Sequence, residues 1–224
     1  MDFMIHGLID FELFGQTFWI TTTHVSILIV MVLIIALACV IRANLKGPDE
    51  TPGLLQSFAE IAIEMLQNMV EGIMGSNAGK YMNYIGTIFV FILISNISGI
   101  FGLRPPTADF GVTLPLGIMT FLIVQYNNIR NNKFGAFTSL FEPVPFLFPI
   151  NLIGEIATPF SLGLRLFGNI ISGTVIVALF YGMVPVLFKI GVPAVLHAYF
   201  DLFSGCIQTY VFCMLTMVFI NDKL

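Results

Sequence analysis

Charged side chains are scarce in this sequence. Of its 224 residues only 10% are Asp, Glu, Lys or Arg, whereas 57% are hydrophobic and the mean hydropathy is +0.95. About a quarter of the residues in soluble domains are charged, so these values exclude a soluble protein. They predict an integral membrane protein whose length fits one helical bundle and leaves no room for a sizeable soluble domain.

Cysteine and basic residues are also sparse. Cys39, Cys206 and Cys213 all fall in apolar segments, which argues against a disulfide framework and favours packing roles. The basic residues are scattered and the net charge is −4, so nothing indicates binding to nucleic acid. The first residues are acidic where a signal peptide would be basic, hence no cleavable signal is expected.

Motifs for catalysis are missing as well. The phosphate-binding pattern Gly-x-x-x-x-Gly-Lys-Ser/Thr does not occur, nor does a Gly-x-Ser-x-Gly-like element with a usable histidine. Asp201 is the only aspartate well inside an apolar segment, whereas an intramembrane aspartyl protease needs a pair. We therefore expect a non-catalytic chain with no cofactor and no metal site.

Apolar segments that match the bilayer, which takes about 20 helical residues to cross, define the predicted fold. We predict an all-α integral membrane protein, a single membrane domain over 1–224, with spans at about 19–41, 81–103, 112–129, 149–184 and 194–220. The fourth span, roughly 50 Å long at about 1.5 Å per residue, must tilt or bend. Pro159 is its expected kink, and the span is expected to pack against the last one.

An additional helix, at about 54–73, is amphipathic instead of uniformly apolar. One stripe is apolar and a second carries Glu60, Glu64 and Glu71, which predicts a helix at the membrane interface. Because the polar face is acidic, contact with a protein explains it better than attraction to anionic lipid.

The distribution of basic residues predicts the orientation of the chain. One side of the predicted membrane carries Arg42, Lys46, Lys80, Arg130, Lys133 and Lys223, and the other carries Arg104 and Lys189. Basic residues concentrate in cytoplasmic loops, so we expect the N-terminus outside and the C-terminus in the cytoplasm.

One arginine, Arg165, interrupts the fourth span. Insertion scales put an arginine at mid-bilayer at roughly 2.5–3.5 kcal/mol, and such residues usually mark an ion or substrate path. The helix on both sides of Arg165 is too long for easy snorkelling to the interface. Steps of three and four residues place it on a mostly polar helix face with Asn151, Glu155, Thr158, Leu162, Asn169 and Ser172.

Several of these residues carry a family resemblance. The run Ser161-Leu-Gly-Leu-Arg-Leu-Phe-Gly-Asn169, the earlier Asn151 and Glu155, and the later Gln208-Thr-Tyr-Val-Phe212 resemble subunit a of the rotary F-type ATP synthase. Pro105-Pro-Thr-Ala-Asp109 is similar to a loop of the same family. The likeness extends over most of the chain.

The resemblance implies a stator subunit in a bacterial plasma membrane. Its partners would be the ring of c subunits, the peripheral-stalk b subunits and the remainder of the F-type ATP synthase. By position, Arg165 would be the family's essential arginine, with Asn169 and Gln208 as polar neighbours. Asp201 falls where relatives carry His or Glu in the outer channel. Thr174 falls where some members have an acid or His, and it cannot relay a proton by ionising.

The residues themselves predict two polar zones with a fixed cation between them. Glu155 lies on the expected cytoplasmic side of Arg165, and Asp201 and His197 lie toward the outside. Other interpretations stay open: Asn169 and Gln208 as hydrogen-bonding groups between helices, Glu155 as an acid that faces a partner, and His197 as a helix-end residue.

Three functions are consistent with this pattern. The first is a subunit that passes protons through two half-channels to ring carboxylates, and the second is the same role with Na⁺. The third is an independent transporter, against which the lack of a convincing inverted repeat weighs.

Overall fold

The computed structural model describes residues 7–13, 16–47, 51–132, 135, 146, 148–183 and 192–224. They form strands β1 (Gly7–Leu13) and β2 (Gln16–Thr21) and helices α1 (Thr22–Ala43), α2 (Leu54–Met74), α3 (Ala78–Ile97), α4 (Phe110–Asn132) and α5 (Phe148–Met183). The last helix joins α6 (Val192–His197), a π-helical segment (Ala198–Ser204) and α7 (Gly205–Asn221).

Five helical stretches are apolar and long enough to cross a membrane, which confirms the predicted all-α integral membrane protein. Four of them begin and end within three residues of a predicted span, whereas the fifth stretch, Leu54–Phe101, joins α2 to α3 and so includes the helix predicted at the interface. The first span begins later than predicted because Trp19 belongs to β2, which pairs with β1 in an antiparallel hairpin that the sequence did not suggest. Lys133 and Lys189, which entered the orientation argument, lie outside the described residues.

The chain separates into two compact units, 1–106 and 107–224. In the first unit, Gly75 ends α2 with a φ of 52°, a conformation that suits a residue without a Cβ. Helix α2 then packs on α3, where a Cβ on Gly86 would lie 3.1 Å from Cδ2 of Leu66. The predicted apolar stripe of α2 is exposed, with Leu54 at 82% and Phe58 at 71%. Its position at the membrane interface stays a prediction, as does the single domain.

The second unit is built on the close approach of α4 and α5. A Cβ on Gly117 would collide with the carbonyl oxygen of Pro159, and one on Gly163 would lie 3.1 Å from the carbonyl oxygen of Thr113. Small residues allow such contacts between membrane helices. Helix α7 joins the pair through the buried hydroxyl groups of Thr120 and Thr216, 3.3 Å apart. Helix α5 has 36 residues and continues through Pro159, as its predicted length requires.

Candidate functional site

Arg165 lies in the middle of α5 with its side chain exposed. It lines a groove of about 200 Å³ between α5 and α7, which we call the arginine groove. Its walls are Gly154, Ala157, Thr158, Ser161, Leu162, Arg165, Leu215 and Phe219. Within the described part of the chain, no side chain forms an ion pair with the guanidinium. The groove thus presents a fixed positive charge at its surface.

A larger groove of about 600 Å³ adjoins the arginine groove, and we call it the vestibule. Helices α4 and α5 and the C-terminal end of the chain form its walls, with polar side chains from Thr120, Gln125, Asn151, Glu155, Thr158, Asp222 and Lys223. Across it, the Gln125 amide Nε2 donates a hydrogen bond of 3.1 Å to Glu155. The vestibule is therefore a roomy space in which carboxylate, amide and hydroxyl groups face one another.

Beyond Arg165, in the opposite direction along α5, polar side chains bond directly across two helices. The Asn169 amide Nδ2 donates to Ser204 Oγ at 3.0 Å and to Gln208 Oε1 at 3.4 Å. Gln208 is 6% exposed, and its buried Nε2 has no hydrogen-bond partner among the described residues. Such a buried donor costs about 1–3 kcal/mol until it is bonded, so this end of the cluster is ready to donate to an acceptor.

The same helix carries a titratable pair one turn away. His197 Nδ1 lies 2.6 Å from Asp201 Oδ2, and the Tyr181 ring centre of α5 lies 6.3 Å from that of His197. Asp201 and Ser204 belong to the π-helical segment, a feature that often accompanies functional sites. We call His197, Asp201, Ser204, Asn169 and Gln208 the polar cluster.

The structure groups the predicted site residues in two places. Asn169 and Gln208 are bonded to each other, and His197 is bonded to Asp201. Glu155 lies in the vestibule, next to the groove that holds Arg165. The Thr174 hydroxyl donates to the Ile170 carbonyl of its own helix at 2.8 Å, so this donor is used within α5.

Two residues were missed by the sequence analysis. Ser204 lies on the same face of the last helix as Gln208. Its hydrogen bond to Asn169 depends on how far the last helix is offset along α5, which the sequence does not reveal. Nothing in the sequence marked Gln125 as a site residue except that it is polar and lies in an apolar span. Both depend on a contact between helices that are distant in the sequence.

This chain is similar in sequence to known proteins over most of its length. The family model described as "ATP synthase A chain" matches residues 24–221. The chain belongs to the ATP synthase A chain family. It is 40% identical to "ATP synthase subunit a, sodium ion specific" of Propionigenium modestum, over 92% of this chain and 75% of the relative.

Two further relatives from this family match this chain over nearly their whole length. The chain is 32% identical to ATP synthase subunit a of Priestia megaterium, over 98% of both chains. It is 34% identical to that of Moorella thermoacetica, over 91% of this chain and 90% of the relative. Membership in the A chain family, together with five apolar helices, makes this chain a multi-pass membrane subunit with the ion-translocating stator role in an ATP synthase.

Proposed function

We propose that this subunit supplies two half-channels, one on each side of Arg165, that load and unload protons on the carboxylates of a c-subunit ring. Proton flow would thereby drive rotation and ATP synthesis. The observation that carries the proposal is the exposed guanidinium in a groove, flanked by the vestibule on one side and the polar cluster on the other.

The vestibule serves as one half-channel because it has both space and charge. Its volume of about 600 Å³ holds many waters, since one water needs about 30 Å³ of liquid volume. Glu155 lies in its wall and can exchange protons with that water.

The polar cluster serves as the other half-channel. His197 and Asp201 supply the titratable groups, and Ser204, Asn169 and Gln208 extend the hydrogen-bonded route along the helix pair toward the level of Arg165. Histidine is the side chain best suited to proton transfer near neutral pH.

Arg165 separates the two routes. A guanidinium stays protonated at any physiological pH, so it can neither pass a proton on nor lose its charge. A ring carboxylate opposite it would be held in its ionised form by the opposite charge. The carboxylate must therefore travel around with the ring between unloading and reloading.

The expected surroundings follow from this role. The complex would lie in a bacterial plasma membrane, with the N-terminus outside and the vestibule on the cytoplasmic side, where the predicted orientation places Glu155. The c ring would face the arginine groove, and the peripheral-stalk b subunits would hold this chain still. ATP hydrolysis and synthesis would belong to the other subunits.

The decisive experiment compares Arg165→Ala with wild type for ATP-driven ion pumping in inverted membrane vesicles that contain the whole complex. We expect loss of pumping and, after removal of the catalytic head, a passive leak between the half-channels. Ser172→Ala is the matched control, because its hydroxyl donates only to the carbonyl of Asn169 in its own helix. Normal pumping by Arg165→Ala would refute the proposal.

Sodium is the second candidate for the coupling ion. The observation that favours it is the 40% identity to a relative named as sodium ion specific. The same vesicles decide the matter: a protonophore abolishes transport if protons are pumped, whereas sodium uptake persists in its presence if Na⁺ is pumped. The chain alone in liposomes should carry almost no flux, and a substantial flux would instead indicate an independent transporter.

A further inference from the structure

The vestibule and the arginine groove share three residues. Gly154 and Thr158 of α5 and Phe219 of α7 line both. The two grooves therefore meet at these residues, on the direct route from the larger space to the Arg165 side chain. Their size and polarity would affect how easily an ion passes along that route.

We propose that Gly154 and Phe219 form the narrow passage that connects the vestibule to Arg165, and that the small size of Gly154 keeps this passage open. The inference rests on the proposed half-channel function and adds the residues that control ion flow within it. Neither residue belongs to the set of titratable or amide side chains described above.

Open space at Gly154 is the first argument. A Cβ added there would meet no heavy atom within 4 Å, whereas at Gly117 or Gly163 of the same helix pair it would touch the neighbouring backbone. Gly154 is thus not needed for helix packing. A Cβ at this position would extend into the shared wall of the two grooves without touching α4 or α7.

The chemistry of the walls is the second argument. The Thr158 hydroxyl donates to the Gly154 carbonyl oxygen at 3.0 Å, so it is bonded within its own helix. Phe219 contributes an aromatic ring from α7. The passage is therefore less polar than the vestibule, and constrictions of this kind control ion flow by holding or losing water.

The first test uses the whole complex in inverted vesicles. Gly154→Leu should lower ATP-driven pumping about tenfold, because the added side chain narrows the proposed passage. Gly182→Leu is the matched control: it is on the same helix, its Cβ would also meet open space, and it lies outside both grooves, so pumping should be unchanged. Equal pumping by the two variants would overturn the proposal.

A second variant distinguishes blockage from damage to the fold. Phe219→Ala removes bulk from the opposite wall, so adding it to Gly154→Leu should restore most of the lost pumping. If the passage is as inferred, Phe219→Ala alone should pump at least as fast as wild type. A double variant that pumps no better than Gly154→Leu would contradict the shared passage.

Chemical modification gives a readout that does not depend on the leucine variant folding. In a chain with Cys39, Cys206 and Cys213 replaced by alanine, Gly154→Cys should react with a membrane-impermeant methanethiosulfonate added from the vestibule side. Pumping should fall on reaction and return after reduction. Failure of the thiol to react, or reaction without loss of pumping, would overturn the proposal.

Measuring pumping by Arg165→Ala in the same vesicles distinguishes failure of the half-channel hypothesis from failure of the passage hypothesis. If Arg165→Ala pumps normally, the half-channel function itself is wrong. If Arg165→Ala is inactive while Gly154→Leu pumps normally and Gly154→Cys does not react, only the passage is wrong.

Discussion

The two flanks of Arg165 are built in different ways. On one flank, the vestibule is an open space of about 600 Å³ in which polar side chains surround a volume larger than they fill. On the other, the polar cluster has little space between its members, and its side chains bond to each other at 2.6–3.4 Å. If both flanks are half-channels, as proposed, we expect water to carry ions through the vestibule and side chains to carry them through the cluster.

Because of this contrast, substitutions on the two flanks should differ in how much they reduce ion pumping. Water replaces a lost side-chain contact at little cost, because bridging waters bond nearly as well as the groups they replace. In a directly bonded network, which has no water to take the place of a lost group, losing one member affects the others. Substitutions in the cluster should therefore cost more activity than substitutions in the vestibule.

Asp201→Ala should have the largest effect of the substitutions that test this contrast. It removes the only carboxylate of the cluster and the partner of His197, bonded at 2.6 Å. We expect ATP-driven pumping to fall roughly 100-fold, the scale of a lost proton-transfer group. Asp201→Glu should retain part of the activity. A loss from Asp201→Ala no greater than that from a vestibule substitution would show that both flanks conduct in the same way.

Ser204→Ala should come next. It leaves the Asn169 amide with only the longer contact to Gln208, at 3.4 Å. Losing a hydrogen bond of this kind costs about 1 kcal/mol, so we expect a loss of pumping of about fivefold. Ser204→Thr retains the hydroxyl and should restore most of the activity, whereas failure of this variant would point to a packing role. Western blots of the vesicles check that each variant assembles.

Glu155→Gln should have a smaller effect. Glutamine can still bond to Gln125, and water in the vestibule can bypass the missing charge, so we expect pumping to fall only about two- to threefold. The initial rate of pumping at matched ATP hydrolysis measures this. A tenfold loss would mean that Glu155 itself carries every ion, as a member of a direct chain would.

Thr120→Val should have the smallest effect. It removes the hydroxyl that faces Thr216 and also lines the vestibule. Hydrogen bonds between membrane helices are worth about 0.6 kcal/mol on average, so the temperature at which pumping is lost should fall only slightly. A large change in pumping rate at low temperature would instead give this hydroxyl a part in conduction.

Helical periodicity was enough to predict the long fourth helix and the polar face that carries Glu155, Arg165 and Asn169. It places residues around one helix axis, and Asn151, Glu155 and Arg165 do lie along grooves on the same helix. Periodicity carries no information about the axial offset between two neighbouring helices. The bonds of Asn169 to Ser204 and of Gln125 to Glu155 depend on that offset.

Two other features of the structure could not be predicted from the sequence. The π-helical segment Ala198–Ser204 changes the angular spacing of the last helix, which a constant period of 3.6 residues does not anticipate. The hairpin of β1 and β2 depends on pairing between two short segments with mixed composition.

Pro159 affects more than the course of α5. Proline has no N–H, so the backbone carbonyl of Glu155, four residues earlier, loses the hydrogen bond that an unbroken helix would give it. That oxygen carries a partial negative charge and belongs to a residue in the vestibule wall. The vestibule wall therefore contains a residue whose backbone oxygen lacks its usual helical donor, and no side-chain substitution at position 155 changes that.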